Sequence, residues 1–114
     1  MSIDLFAGLP VTDYAAAAAW YERLIGAPPS FLPNDTEAVW EIGGHRFVYI
    51  AVRPEHAGHA VVTLFAEDFD ARLSQIAERG IEPALRETLG NGVRKAIFRD
   101  PDGNEIAFGG APAG

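Results

Sequence analysis

The chain has 114 residues, of which 48% are hydrophobic and 22% charged, a composition typical of one globular domain rather than a disordered segment. Nine Lys and Arg against 16 Asp and Glu give a formal charge of −7, which disfavours contact with nucleic acid or an anionic membrane. There is no cysteine, which excludes disulfides, thiolate metal sites and a cysteine nucleophile. No basic segment opens the chain and no apolar run approaches the roughly 20 residues of a membrane span, so we expect a cytoplasmic protein.

The first half of the chain predicts one helix and four strands. Asp13 is placed to accept hydrogen bonds from the first turn of the helix, five alanines favour the helix interior, and Gly26 ends it. The strands are rich in branched and aromatic residues and are separated by Gly, Pro and Asn. In chain order, the predicted elements are a strand at 3–11, the helix at 14–25, and strands at 31–32, 37–42 and 46–52.

The second half repeats this order of elements, with Asp68 placed to cap the second helix 55 residues after Asp13. In chain order, the predicted elements are a strand at 59–66, the helix at 69–79, and strands at 82–88, 93–99 and 105–108. We therefore predict an α+β fold with a single domain over residues 1–114. Its two βαβββ modules, at about 3–52 and 59–109, would form a curved mixed sheet with a concave cup and with the helices on the outer face.

Three features of the sequence point to one protein family. The duplication, the run Val11–Gly26 and the turn Asp100–Glu105 (DPDGNE) together resemble the vicinal oxygen chelate (VOC) superfamily, which holds glyoxalases, bleomycin resistance proteins and extradiol dioxygenases. The resemblance covers residues 3–109. It implies the glyoxalase/bleomycin resistance-like fold and a homodimer.

The resemblance also implies that metal-dependent members hold a divalent cation in the cup with His and Glu side chains at four strand positions. In this sequence those positions carry neither His nor a carboxylate, since they are Phe6, Val61, Ala107, and Tyr49 or Ile50. His59, two residues before Val61, is the strongest candidate for a displaced ligand. Histidines without a carboxylate at ligand spacing do not make a metal site, so we expect neither a metal nor another cofactor.

The absence of ligand residues at the family's metal positions favours a small-molecule site in an aromatic cup. Strand alternation puts Phe6 on the face that the resemblance assigns to the cup, and an apolar face of this kind suits a planar ligand. Arg94 would pair with an anionic or carbonyl group of that ligand, and Glu105 is the carboxylate nearest to the empty position at Ala107. Packing in the core or a solvated surface role is the alternative for each residue. The candidate ligand-binding residues are Phe6, Tyr49, His59, Phe65, Arg94, Phe98 and Glu105, with Trp40 as a further aromatic candidate.

Three functions remain open on the sequence alone. The first is metal-free binding of a small molecule, such as an antibiotic, in the manner that the resemblance implies for bleomycin resistance proteins. The second is a divergent metal-dependent lyase, isomerase or dioxygenase that uses His59 and Glu105. The third is an interaction module whose cup is filled by a partner. No catalytic residue is assigned, and the expected partners are a small-molecule ligand and a second copy of the chain.

Overall fold

The computed structural model describes residues 2–113, which form two βαβββ modules in the α+β arrangement that the sequence predicts. The first module consists of β1 (Leu5–Val11), α1 (Tyr14–Ile25), β2 (Phe31–Asn34), β3 (Glu37–Gly43) and β4 (Arg46–Val52). A 3-10 turn at Pro54–His56 precedes the second module, which consists of β5 (Val61–Phe65), α2 (Phe69–Glu78), β6 (Leu85–Thr88), β7 (Arg94–Arg99) and β8 (Glu105–Gly110).

The eight strands form two hydrogen-bonded sheets of four, one for each module, which corrects the expectation of one continuous curved sheet. The strand order is β1-β4-β3-β2 in the first sheet and β5-β8-β7-β6 in the second. In each sheet the first strand runs parallel to the last strand of its module, and the other neighbours are antiparallel. The two sheets therefore have the same topology, and β1 and β5 each lie at a sheet edge.

The two helices begin differently although an aspartate precedes each of them. The Asp13 carboxylate accepts a hydrogen bond from the Ala16 N–H at 3.0 Å, so the predicted cap of α1 is confirmed. Asp68 is at the predicted N-cap position of α2, but its carboxylate pairs with the Arg72 guanidinium one turn further on and makes no capping bond. Within residues 2–113, neither helix has the length and apolar character needed to cross a membrane.

One hydrophobic core lies between the helices and a single face of each sheet. Alternate residues of β1, β3 and β4 meet the buried face of α1, while alternate residues of β7 and β8 meet α2. The largest fully buried side chains are Trp40, Tyr21 and Phe98. Because both sheets turn one face to this core, the opposite face of each sheet is left without a covering helix. We call these the open faces of the two sheets.

The turn between β7 and β8 carries a buried carboxylate that binds both modules. Asp100 is 5% exposed and accepts hydrogen bonds from the Tyr21 hydroxyl at 2.8 Å and from the Asn104 side-chain amide at 2.8 Å. It also accepts the backbone N–H groups of Asp102 and Asn104, both at 2.9 Å. Burial, and then the neighbouring Asp100 carboxylate, raise the pKa of the Tyr21 phenol, so this hydroxyl stays protonated and acts as the donor.

The same turn is bonded to the loop between β1 and α1. The Asn104 side-chain amide donates to the Pro10 carbonyl at 2.6 Å. The Asp102 carboxylate accepts from the Thr12 hydroxyl at 2.7 Å and from the Thr12 N–H at 3.1 Å. We call this contact of turn 100–104 with residues 10–12 the closed junction, because it joins the modules without a gap.

The C-terminal ends of the two helices cap each other. Arg23 of α1 donates to the carbonyls of Arg79 and Gly80, both at 3.1 Å, at the end of α2. Arg79 in turn donates to the carbonyl of Leu24 at 3.0 Å and to that of Arg23. Carbonyls of the last helical turn have no partner within their own helix, so this reciprocal exchange satisfies them and joins the two modules.

Candidate functional site

The open face of the first sheet carries a cluster of four aromatic rings. The Phe6 and Phe47 rings are stacked, with centroids 4.3 Å apart and planes inclined by only 7°. Tyr49 meets Phe6 edge to face at 6.4 Å, and Phe31 meets Phe47 edge to face at 6.5 Å. Phe6 is 45% exposed, so these rings present apolar surface to solvent. We call this cluster the aromatic face.

The pairing of β1 with β4 builds the aromatic face. The parallel register places Phe6 beside Phe47 and Gly8 beside Tyr49. Gly8 allows the Tyr49 ring to lie against the backbone of β1, because a Cβ at Gly8 would stand 2.8 Å from the ring carbon Cζ. Phe47 and Phe31 are absent from the residues proposed on sequence grounds. The alternation of Phe47 with Tyr49 along β4 is the signal that identifies Phe47.

Acidic side chains flank the aromatic face. Glu41 is paired with Phe47 and Glu37 with Ala51 in the register of β3 and β4, so both glutamates project on the same side as Tyr49. Glu41 is exposed. The immediate charge around the rings is therefore negative, in line with the net charge of the whole chain.

Phe65 and Glu105 belong to the open face of the second sheet. Val61 and Phe65 alternate along β5 and are 70% and 66% exposed, so they form a second apolar surface. Glu105 lies beside Val61 in the register of β5 and β8, and its carboxylate is 3.5 Å from the guanidinium of Arg99. The ring contacts of Phe6 join it to Phe47 and Tyr49 of its own sheet.

The structure places Phe98 and Trp40 in the core, which corrects their expected position in the cup. Phe98 is 1% exposed and meets Phe108 edge to face at 6.1 Å. Trp40 is equally buried and donates its indole N–H to the Ala27 carbonyl at 2.9 Å. Alternation predicts which residues of a strand share a face. It does not say which face the helices cover, and here they cover the face that holds both rings.

Arg94 shares that helix-covered side and is engaged in structural contacts, so its expected position in the cup is also corrected. Its Nη1 donates to both carboxylate oxygens of Asp70, at 2.8 and 2.9 Å, and its Nε donates to the Ala111 carbonyl at 3.0 Å. The guanidinium carbon lies 4.7 Å from the centre of the Phe69 ring. These contacts bind β7 to the start of α2 and leave Arg94 remote from the aromatic face.

The donor set on the open faces does not fit a divalent metal. Of the positions where the family resemblance implies ligands, Phe6, Tyr49, Val61 and Ala107 lie on the open-face side of their strands, while Ile50, the alternative to Tyr49, lies in the core. Among residues 2–113, no three His, Asp or Glu side chains lie close enough together to hold a metal ion.

The three histidines all lie outside the strands and helices α1 and α2. His59 is exposed and precedes β5, and His56 ends the 3-10 turn. His45 lies in the turn between β3 and β4, where its Nδ1 is 2.5 Å from the Asp4 carboxylate. The displaced-ligand alternative at His59 therefore lacks the companion ligands that it requires.

The chain is similar to known proteins in both sequence and structure. Residues 2–108 match the Glyoxalase/Bleomycin resistance protein/Dioxygenase superfamily. A glyoxalase/bleomycin resistance protein from Catenulispora acidiphila DSM 44928 is 58% identical over 97% of this chain and 100% of its own, with a TM-score of 0.94. No curated protein sequence matches the chain.

Two more distant solved structures share the fold. A bleomycin-binding protein complexed with bleomycin is 22% identical over 96% of this chain and 99% of its own, with a TM-score of 0.78. Lactoylglutathione lyase from Agrobacterium tumefaciens is 19% identical over 97% of this chain and 95% of its own, with a TM-score of 0.76.

Proposed function

Because the chain belongs to the glyoxalase/bleomycin resistance protein/dioxygenase superfamily, we propose that it is a metal-independent protein that binds a small molecule on the aromatic face. The stacked, exposed pair Phe6–Phe47 is the observation that carries this proposal. An apolar, ring-lined surface with few polar groups is the usual form of a small-molecule site.

The composition of the aromatic face favours a planar, partly apolar and cationic ligand. Each aromatic pair contributes about 0.5–1.5 kcal/mol of stacking beyond the burial of its area. Glu41 beside Phe47 and the chain's charge of −7 attract a cation, whereas Arg94 is engaged elsewhere and cannot orient an anion. An antibiotic is one molecule of this class, and the relative solved with bleomycin supports it as a candidate.

A homodimer with twofold symmetry is part of the proposal. The two open faces cannot cover each other within one chain, since both sheets turn their other face to a shared core. Exposed Leu5 on β1 and exposed Val61 and Phe65 on β5 also lie on strands at open sheet edges, which a second copy would cover. Twofold pairing would place the aromatic face of one copy against the second sheet of the other. Sedimentation equilibrium at micromolar concentration tests this, and a monomer would contradict it.

Calorimetric titration of wild type with a panel of planar aromatic cations tests the proposed ligand class. Phe6→Ser removes half of the stacked pair and should abolish binding while the melting temperature stays near that of wild type, because Phe6 is already 45% exposed. Leu89→Ser is the matched control, since Leu89 is 44% exposed and lies outside the strands. The proposal fails if no cation of the panel binds wild type, or if binding survives Phe6→Ser and Phe47→Ser alike.

The alternative function is a metal-dependent lyase, isomerase or dioxygenase. The metal content of the purified protein distinguishes it from metal-independent binding. We expect elemental analysis of protein purified without chelator to find no stoichiometric transition metal, since Phe6 and Ala107 occupy two ligand positions. About one metal ion per chain, lost in His59→Ala, would favour the enzyme instead.

The proposed location is the cytoplasm, which cell fractionation would test.

A further inference from the structure

The duplicated fold contains a second junction between the modules, and this one is open. The ladders pair Trp40 with Val48 in the first sheet and Phe98 with Ile106 in the second, which makes Ile42 the counterpart of Asp100. By the same register, Arg46 is the counterpart of Asn104. These counterparts and the loop between β5 and α2 line one cleft of about 600 Å³. We call it the open junction.

Apolar side chains from both modules form most of the cleft. Ala7 and Val48 come from the helix-facing side of the first sheet, and Val62 and Leu64 come from the same side of the second. The cleft is therefore an extension of the core that reaches the surface. Phe47 borders both the cleft and the aromatic face, whereas Phe6 and Tyr49 are outside the lining of the cleft. Its volume lies within the range of roughly 300–1,000 Å³ typical of small-molecule sites.

The Arg46 guanidinium in this cleft is not engaged in an ion pair within the described part of the chain. Among residues 2–113, its guanidinium makes one hydrogen bond, from Nε to the Gly44 carbonyl at 3.3 Å, and no ion pair. The other arginine of the lining, Arg72, is paired with Asp68 and lies over the Phe108 ring at 5.8 Å. The remaining N–H donors of Arg46 form a planar fork that matches a carboxylate.

The acidic side chains of the lining have a structural explanation. Glu67 and Asp68 immediately precede α2, where the free N–H groups of the first turn stabilise negative charge. Asp68 is in addition neutralised by Arg72. Glu67 has no ion pair among residues 2–113, and it lies on the second module, whereas Arg46 lies on the first. The positive charge that a ligand can meet in the cleft is therefore that of Arg46.

We propose that the open junction is a second binding site, which takes an amphipathic monocarboxylate. The apolar body of the ligand lies between Ala7 on one wall and Val62 and Leu64 on the other, and its carboxylate binds the Arg46 guanidinium. The cleft shares Phe47 with the aromatic face but not Phe6, so variants at Phe6 and at Ala7 separate this proposal from the proposed binding of a planar cation.

Isothermal titration of the full chain with decanoate tests the site, with decan-1-ol and decylamine as neutral and cationic analogues. We expect decanoate to bind wild type more tightly than either analogue. Arg46→Gln should weaken decanoate binding about tenfold or more, because charge-assisted hydrogen bonds to the carboxylate are lost. Arg86→Gln makes the same charge change at an exposed strand position outside the cleft and should leave the affinity within about twofold of wild type.

Two further variants locate the ligand within the molecule. Ala7→Phe places a ring in the cleft and should abolish decanoate binding. If Ala7→Phe has a lower melting temperature than wild type, Val62→Phe fills the cleft from the opposite wall instead. Phe6→Ser should leave decanoate binding unchanged. The proposal is overturned if decanoate fails to bind wild type, if decylamine binds more tightly, if Arg46→Gln and Arg86→Gln behave alike, or if Phe6→Ser rather than Ala7→Phe abolishes binding.

Discussion

At one junction between the modules a hairpin turn is bonded to its neighbour through a buried carboxylate, whereas at the other the equivalent turn borders a cleft of about 600 Å³. Both junctions arise from the same duplicated βαβββ plan, so the backbone topology does not explain the difference. The side chains do. Asp100 and Asn104 at the closed junction correspond to Ile42 and Arg46 at the open one, and neither of the latter can accept the hydrogen bonds that close the gap.

The difference shows how a duplicated fold can divide its tasks. Among residues 2–113 the closed junction leaves no buried side-chain donor without a partner, and its hydrogen bonds join the two modules. The open junction leaves apolar surface and an unpaired guanidinium for a ligand. The closed junction thus stabilises the fold, and the open junction provides the proposed binding site.

The largest loss in the free energy of unfolding is expected when the buried carboxylate of the closed junction, Asp100, is removed. Asp100→Ala should lower the free energy of unfolding by about 3 kcal/mol, since it leaves the buried Asn104 amide and the Tyr21 hydroxyl without their acceptor. Urea denaturation followed by circular dichroism measures this loss. Asp102→Ala, which removes only the more exposed contact with Thr12, should cost about 1 kcal/mol. Equal losses in the two variants would contradict the central role of Asp100.

A smaller loss is expected when one donor of the same network is deleted. Tyr21→Phe removes the hydroxyl that donates to Asp100 and should lower the free energy of unfolding by about 1.5 kcal/mol, because the carboxylate keeps its other donors. Tyr14→Phe on the same helix is the control, and it should stay within about 0.5 kcal/mol of wild type. If Tyr21→Phe is as stable as Tyr14→Phe, the hydrogen bond from Tyr21 to Asp100 does not stabilise the fold.

The smallest loss in the free energy of unfolding is expected for a substitution at the open junction. Ile42→Ala truncates the counterpart of Asp100, and the loss should be below about 1 kcal/mol because Ile42 is already partly exposed at the edge of the cleft. The same denaturation experiment measures it. A loss as large as that of Asp100→Ala would mean that the open junction supports the fold as strongly as the closed one, and the contrast between them would be lost.

Much of the aromatic face could be predicted from the sequence, and the missing part has a specific cause. The family resemblance points to Phe6 and Tyr49 as strand positions that face the cup, and alternation along β1 gives the residues that share the face of Phe6. Alternation with Tyr49 puts Phe47 on the same face of β4, but its stacking on Phe6 depends on the parallel register of β1 with β4, a pairing between residues distant in the chain. Arg94 and Phe98 were assigned to the wrong side for the related reason that period-two alternation is symmetric between the two faces of a sheet.

The sequence by itself determined the order of the elements, the duplication, the cap of α1 at Asp13 and the absence of metal ligands at the family's positions. These features depend on local rules, on the spacing of side chains along one strand or helix, or on residue identity alone. The tertiary structure decided which face of each sheet the helices cover, and that one junction is closed and the other open. Those outcomes depend on contacts such as that of Tyr21 with Asp100, which are 79 residues apart. Such a contact exists only once both modules have folded against each other, so no local pattern encodes it.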